Sequence, residues 1–307
     1  MEENKEAYYR FSKYLRDTFG SRIYRISLDA GFNCPNRDGS KGTNGCIYCD
    51  NKGFSYNTRQ NSLPLEEQVE KGMEFARIRY KADKFIIYFQ AYTNTYAPVK
   101  VLKSKYDIIN EYDDVVGLSV STRPDCIDDQ KLDLLNEYTR NYEVWLEYGL
   151  QSTNNKTLEF INRNHSYEDF LEAVELTRQK GNFKICAHVI IGLPGEEKSD
   201  VINTAKELGR LQLDGIKIHP LHVIKGTRLE EIYNNKQCRM MEVEEYMDLV
   251  IEFLEHIHPD TVIHRITADC PDEYLVAPQW ISEKNMILQT IDKKMLQEDR
   301  YQGKLCV

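Results

Sequence analysis

The stretch Cys34-Pro-Asn-Arg-Asp-Gly-Ser-Lys-Gly-Thr-Asn-Gly-Cys46-Ile-Tyr-Cys49 places three cysteines within sixteen residues. Eleven residues separate Cys34 from Cys46, and two separate Cys46 from Cys49. The intervening residues are mostly polar and include three glycines, which favours a loop over a helix or a strand. A Cys-x-x-Cys pair can place two thiolates on one metal centre. The far end of the loop then supplies a third thiolate.

The number of thiolates restricts the kind of metal centre. A closed structural zinc site or a simple electron-transfer iron–sulfur cluster usually has four protein ligands. Three cysteines on a [4Fe–4S] cluster leave one iron open to chelate another molecule. The cysteines alone leave a second interpretation open, in which a distant His or Asp completes a zinc site.

Composition predicts one large domain, or one domain with an appendage, because the chain has 307 residues of ordinary globular character. No apolar run approaches the roughly 18 residues that span a bilayer, and residues 1–5 form no apolar signal region. We therefore expect a cytoplasmic protein without membrane contact, whose five scattered cysteines are thiols. The net charge of −9 argues against broad binding of nucleic acid. The early basic residues are expected to form a solvated face: Arg10, Lys13, Arg16, Arg22 and Arg25.

Predicted strands and helices alternate along most of the chain. The strands are continuous apolar runs, as expected when helices cover a sheet, and Ser62 and Pro64 predict the start of the helix after the cysteine loop. Six β-then-α units indicate a parallel sheet with right-handed crossovers. Alternation alone leaves an open barrel and a doubly wound sheet equally open. The strands are predicted over residues 22–28, 84–90, 115–121, 143–149, 183–191 and 215–219.

The predicted strand ends carry the other motifs, and in barrel-like folds the chemistry lies at the carboxyl ends of the strands. The motifs are Gln90-Ala-Tyr-Thr-Asn-Thr95, Ser121-Thr-Arg-Pro-Asp125, Glu147-Tyr-Gly-Leu-Gln151 with Arg163 twelve residues on, Gly192-Leu-Pro-Gly-Glu196 after His188, and His219-Pro-Leu221.

The cysteine loop and these motifs, in this order, resemble those of the radical S-adenosylmethionine (radical SAM) enzymes. The long first spacer, residues 88–98 and Arg265-Ile-Thr-Ala-Asp269 are similar to the YhcC/YtqA (MnmL) group, which is related to Elongator-subunit-like enzymes. The resemblance implies an α/β fold, a partial (βα)6 barrel of the radical SAM type with a mainly helical C-terminal extension. The implied domains are an N-terminal helical segment at 1–19, the barrel at 20–225, and an extension at 226–307 that packs on the barrel as a lid.

The resemblance also implies the site. Cys34, Cys46 and Cys49 are expected to bind a [4Fe–4S] cluster, and SAM to bind its fourth iron. Gln151 and Arg163 are assigned to the ribose and the carboxylate of SAM, since a guanidinium has paired donors. A surface ion pair of Arg163 remains the alternative. The other expected SAM contacts are Tyr48, Gln90, Asn94, Thr95, Ser121, Arg123, His188, Gly192 and Leu221.

Three of these assignments keep alternatives. The 90–95 segment lacks the Gly-Gly pair and the acid of the family pattern, so Asn94 and Thr95 also fit an ordinary polar turn. His188 fits a structural hydrogen-bonded histidine equally well. Asp269 and His264 are the predicted substrate contacts.

The implied chemistry is transfer of one electron from the reduced cluster into SAM and abstraction of a substrate hydrogen by a 5′-deoxyadenosyl radical. The YhcC/YtqA resemblance implies tRNA wobble-uridine modification, from 5-carboxymethylaminomethyl to 5-aminomethyl uridine. The implied partners are tRNA and a flavodoxin or ferredoxin type electron donor. The alternatives are radical chemistry on a small molecule or peptide, and a zinc-stabilised binding protein without SAM chemistry.

Overall fold

A computed structural model describes residues 6–50 and 63–306. Ser62, the predicted helix cap, lies outside the described residues, as do residues 1–5 of the predicted N-terminal segment. The strands are β1 (Ile23–Leu28), β2 (Lys84–Phe89), β3 (Val115–Thr122), β4 (Glu143–Gln151), β5 (Lys184–Ile191), β6 (Gly215–Pro220), β7 (Val223–Ile224), β8 (Val262–Arg265) and β9 (Leu275–Ala277). The helices are α1 (Phe11–Phe19), α2 (Leu65–Tyr80), α3 (Val99–Tyr106), α4 (Asp129–Tyr138), α5 (Asn155–Phe160), α6 (Tyr167–Lys180), α7 (Lys198–Leu211), α8 (Arg228–Asn234), α9 (Val243–Glu255) and α10 (Lys284–Gln297).

Seven parallel strands form one curled sheet, in the order β1-β2-β3-β4-β5-β6-β8. The predicted fold class, a partial parallel barrel with a mainly helical C-terminal part, is confirmed. Three strands were not predicted, namely β7, β8 and β9. β8 comes from the segment assigned to the extension, yet it pairs with β6 and lengthens the sheet, with Gly215 opposite Val262. Strands β7 and β9 form a separate antiparallel pair.

The two faces of each strand differ in character, because successive side chains point to opposite sides. On β4, the side chains of Val144, Leu146 and Tyr148 belong to the main core, which includes residues of the covering helices. Trp145 and Glu147 alternate with them and point to the concave side. The concave face therefore holds the polar groups that the outer core excludes.

Local sequence chemistry begins two of the covering helices. The Ser166 side chain accepts from the Asp169 backbone N–H, and the Asp169 side chain accepts from that of Ser166, which forms a capping box at the start of α6. Asp128 accepts from the Lys131 N–H at the start of α4. Such caps contribute about 1 kcal/mol each to helix stability.

Helix α1 packs against both edge strands of the open sheet, β1 and β8. Its Phe11 ring stacks on His264 with ring centroids 4.1 Å apart and meets Trp145 edge-on. The segment before α1 is held by Gln302, whose side chain accepts from the Tyr9 N–H at 2.9 Å and donates to the Thr261 carbonyl at 2.8 Å. The helix thus closes the amino end of the half-barrel, and chemistry is confined to the other end. No helix within the described part of the chain is long and apolar enough to cross a membrane.

Candidate active site

A pocket of about 270 Å³ opens at the carboxyl ends of the strands. All three cysteines of the loop line it, although they come from positions far from the other strand ends in sequence. The predicted site residues that also line it are Tyr48, Gln90, Ser121, Arg123, Gln151, Arg163, His188, Leu221 and Asp269. One cavity therefore collects the motifs of five strand ends beside the cysteine loop.

Asn36 gives the cysteine loop much of its shape. This side chain is fully buried, and its amide donates to the Asn162 carbonyl at 2.5 Å and to the Cys46 sulfur at 3.6 Å. The Gly45 N–H donates back to the Asn36 carbonyl at 2.7 Å. Further along, Lys41 forms an ion pair with Asp125 at 2.5 Å. The long first spacer is thus folded against the sheet.

Arg163 links Cys46 to the sheet. Its guanidinium donates to the Cys46 sulfur at 3.5 Å, to the Gly149 carbonyl at 2.6 Å and to the His165 ring at 2.8 Å. Burial alone would raise the pKa of the Cys46 thiol, but the Arg163 charge lowers it below its ordinary value. Arg163 is 8% exposed, so the alternative of a surface ion pair does not describe it.

The backbone approaches this guanidinium closely at Gly149. A Cβ there would lie 2.6 Å from an Arg163 nitrogen and 2.8 Å from the Gln151 amide nitrogen. A larger residue at this position would displace the ends of both side chains. Gln151 itself has a φ of 79°, a conformation that non-glycine residues rarely adopt and that often occurs at functional sites. The end of β4 is therefore shaped around the side chains of Gln151 and Arg163.

Two buried polar atoms in the pocket wall have no partner among the described residues, namely one terminal nitrogen of Arg123 and the Tyr48 hydroxyl. The rest of the Arg123 fork is held by Asp125 at 2.8 and 2.9 Å. Arg123 and Lys41 lower the pKa of Asp125 to about 2 against the effect of burial. Buried donors without partners are rare in native proteins. These two fit a bound molecule with acceptor oxygens, such as the carboxylate or ribose of SAM.

The spacing of the three loop sulfurs bears on the zinc alternative. Sulfurs around a tetrahedral zinc with bonds of about 2.3 Å lie about 3.8 Å apart. Within the described ranges, the group of potential ligand atoms that all lie within 4.8 Å of one another is Glu147, Cys186 and His188, and not the three cysteines of the loop. The three loop sulfurs are therefore not all within 4.8 Å of one another, which is wider than the spacing around a single zinc ion. A cation beside Glu147 is opposed by Lys217, which already forms an ion pair with this carboxylate.

The floor of the pocket carries charges that the sequence analysis did not assign to the site. Glu147 is fully buried and accepts from Arg25 at 2.8 Å, from His188 at 2.7 Å and from Lys217. The sequence did contain a signal for these residues, because each is a charged residue at an inward position of an otherwise apolar strand. Arg25 was expected on a solvated face and is instead inside the half-barrel.

Four predicted site residues do not line the pocket: Asn94, Thr95, Gly192 and His264. Asn94 and Thr95 are fully buried behind the pocket wall, bonded to Ser121 and Thr122, as the polar-turn alternative implies. Gly192 has a φ of 96° and lies against Met241 and Leu221, outside the pocket lining.

The predicted substrate contacts separate. The His264 side chain is fully buried beneath the floor, stacked on Phe11, and burial lowers its pKa well below the ordinary value. That position opposes direct contact with a substrate. Asp269 lines the pocket mouth, bonded to Arg265 at 2.6 Å and Lys284 at 3.1 Å.

A curled parallel half-barrel, with three cysteines on the loop after its first strand and a polar pocket beside them, is the architecture of the radical SAM enzymes. Residues 38–208 match the radical SAM superfamily model, and residues 213–297 match the radical SAM C-terminal domain. The chain belongs to the radical SAM superfamily and, within it, to the YhcC/YtqA group. Enzymes of this superfamily use a [4Fe–4S] cluster and SAM.

Relatives match nearly the whole chain. It is 37% identical to the uncharacterized protein YtqA of Bacillus subtilis, over 98% of this chain and 93% of that one. It is also 37% identical to YhcC of Escherichia coli, over 95% and 93%. A tRNA uridine(34) acetyltransferase of Methanocaldococcus jannaschii is 30% identical over 52% of this chain and 30% of its own length. The solved structure of Elp3 from Methanocaldococcus infernus shares the fold, with a TM-score of 0.68 at 19% identity, over 92% of this chain and 64% of that one.

Proposed function

We propose that this enzyme modifies the wobble uridine of tRNA, converting a 5-carboxymethylaminomethyl group to a 5-aminomethyl group. When bound, the cluster and SAM would supply 5′-deoxyadenosyl radical chemistry at the carbon beside the side-chain nitrogen of the substrate. Loss of one hydrogen atom and of one further electron, returned to the oxidised cluster, would leave an imine at this carbon. Hydrolysis of the imine by water would break the C–N bond and release glyoxylate and the 5-aminomethyl amine. The observation that carries the chemistry is the gathering of three spaced cysteines and two unpartnered buried donors in one pocket.

The protein residues bind, orient and exclude water. Cys34, Cys46 and Cys49 hold the cluster. Arg163, fixed by its bonds to Gly149 and His165, presents its charge to the SAM carboxylate. The unpartnered donors of Arg123 and Tyr48 donate to further oxygens of SAM, and the walls of the pocket limit the access of water to a reactive radical.

The tRNA substrate rests on a different observation. About half of the chain is similar to an enzyme named for uridine 34 of tRNA. We include a flavodoxin or ferredoxin type protein as the electron donor, because the cluster must be reduced from outside.

Mass analysis of tRNA nucleosides tests this function. A strain without the gene is expected to accumulate 5-carboxymethylaminomethyl uridine and to lose the 5-aminomethyl form. The wild-type gene and Cys306→Ala, which changes a cysteine away from the pocket, should restore the normal profile, whereas Cys46→Ala should not. An unchanged profile in the deletion strain would refute the tRNA assignment.

A further inference from the structure

The charges at the pocket floor do not balance. Here the floor means Arg25, Tyr88, Glu147, His188 and Lys217, which come from five different strands. The Glu147 carboxylate is the only acid within hydrogen-bonding reach of these groups in the described part of the chain. It faces two cationic side chains.

The remaining floor groups are neutral near pH 7. Burial and the Lys217 charge lower the pKa of His188 to about 4, and burial raises the pKa of Tyr88 well above its ordinary value. Burial and the Arg25 charge lower the pKa of Lys217 to about 8, so this amine is still mostly protonated at pH 7. Two positive charges and one negative charge leave a surplus of one. A buried charge without a counter-charge is costly.

Both cations retain donors for a ligand. Lys217 donates to Glu147 and to the Tyr88 hydroxyl at 3.0 Å, which leaves one of its three N–H groups without a partner among the described residues. Arg25 bonds Glu147 through a single terminal nitrogen, and its guanidinium lies over the Tyr88 ring at 4.6 Å. Both side chains line the pocket.

Apart from His188, which was also assigned to SAM, the floor is separate from the part of the pocket assigned to SAM. Lys217 lies two residues before His219 on β6, and Arg25 lies two residues before Ser27 on β1. Each is therefore about 6.6 Å deeper along its strand than the residue at the rim. Arg163 and the cysteines lie at the rim. An anion on the floor is thus a different group from the carboxylate that Arg163 binds.

We propose that Lys217 and Arg25 form a binding site for the carboxylate of the substrate. The surplus positive charge at the floor favours a ligand with one negative charge. The remaining N–H groups of these two side chains can donate hydrogen bonds to the oxygens of a carboxylate. The inference deepens the proposed function and rests on it, because a 5-carboxymethylaminomethyl group ends in a carboxylate. It assigns substrate selectivity to two residues outside the cysteine loop and the strand-end motifs.

The first test uses a small probe, independent of RNA. N-acetylglycine carries a free carboxylate, and N-acetylglycinamide is its neutral analogue. At matched ionic strength, we expect only N-acetylglycine to raise the Tm of the holoenzyme with SAM. The shift should persist in the control Lys304→Met and disappear in Lys217→Met and in Arg25→Met. Lys217→Met leaves Arg25 and Glu147 as a balanced pair, which favours a folded variant. No shift in the wild type, or an equal shift in Lys217→Met, would overturn the proposal.

The second test uses anticodon stem–loop RNA bearing 5-carboxymethylaminomethyl uridine, and the same RNA as the neutral methyl ester. The wild type should bind the carboxylate form about tenfold or more tightly, and Lys217→Met should lose this preference. If the carboxylate RNA is converted but the ester binds equally well, the carboxylate site is wrong and the tRNA function stands. If N-acetylglycine binding depends on Lys217 but neither RNA binds, the carboxylate site stands and the tRNA function fails.

Discussion

Arg163 donates to the Cys46 sulfur across 3.5 Å while it also donates to the Gly149 carbonyl and the His165 ring. One buried side chain thereby joins the cysteine loop, the end of β4 and the segment after α5. These hydrogen bonds fix the position of Cys46 relative to the sheet.

Replacing a loop cysteine should remove the cluster. We expect anaerobically reconstituted wild type to contain about four irons per chain, with matching sulfide, and Cys46→Ala to contain far less of both. Iron, sulfide and zinc analysis with the absorbance spectrum measures this. Cys306→Ala is the matched control and should retain the wild-type content. Zinc in the wild type without sulfide would contradict the assignment of Cys34, Cys46 and Cys49.

Arg163→Lys should weaken SAM binding. Lysine retains the charge but lacks the fork that holds Gly149, His165 and a ligand carboxylate at once. We expect the Kd for SAM, measured by equilibrium dialysis, to rise about tenfold or more. Arg210→Lys, an exposed arginine on α7, serves as the control. Equal SAM affinity in Arg163→Lys and the wild type would remove Arg163 from the SAM site.

Asp125→Asn should destabilise the protein and loosen the cysteine loop. The carboxylate holds both the buried Arg123 and Lys41 of the loop, so its loss leaves Arg123 as an unpaired buried charge. We expect the free energy of unfolding of the apoprotein to fall by about 3–5 kcal/mol, and a chelator to remove iron faster from the holoprotein. Asp129→Asn removes an exposed ion pair and should change little. A wild-type unfolding curve for Asp125→Asn would show that this ion-pair network is not structural.

The surplus charge of Lys217 should appear in the pH dependence of stability. Its pKa is about 8 in the folded protein and 10.5 ordinarily, with Arg25, Tyr88, Glu147, Cys186 and His188 facing it. Because the folded pKa is lowered, the destabilisation is complete below pH 8 and is lost as the pH rises through 10.5. Relative to Lys217→Met, the wild-type apoprotein should therefore gain about 3 kcal/mol across this window. Denaturant unfolding of both proteins measures the difference, and a constant difference would contradict the charge count.

The strand ends were predictable because their motifs follow apolar runs in a fixed order. Cys34, Gln151 and Arg163 meet in one pocket for that reason, since the carboxyl ends of parallel strands lie at one edge of the sheet. The polar-turn alternative for Asn94 was also available from the sequence. The structure adds that Asn94 is fully buried and that its amide donates to the Ser121 carbonyl at 2.8 Å, which local sequence does not reveal.

The charged residues of the pocket floor were not predicted as site residues. The alternation of side chains along the strands nevertheless indicates that they point inward. Arg25, Glu147 and Lys217 occupy inward positions of three strands, but their pairing depends on how far the sheet curls. Arg25 was grouped with nearby basic residues because it is adjacent to them in sequence. His264 was misjudged for a related reason. Its strand, β8, pairs with β6 through a long-range contact that local sequence does not reveal.

Gln302 joins the segment before α1 to the turn before β8. Its hydrogen bond to the Tyr9 N–H links residues that are 293 positions apart in the sequence. During synthesis, the Tyr9 amide has no such partner until Gln302 has left the ribosome. The amino end of the half-barrel therefore stays unsealed while every residue of the site is already outside. A chain that stopped before Gln302 would therefore carry all three cysteines on a half-barrel whose amino end lacks this hydrogen bond.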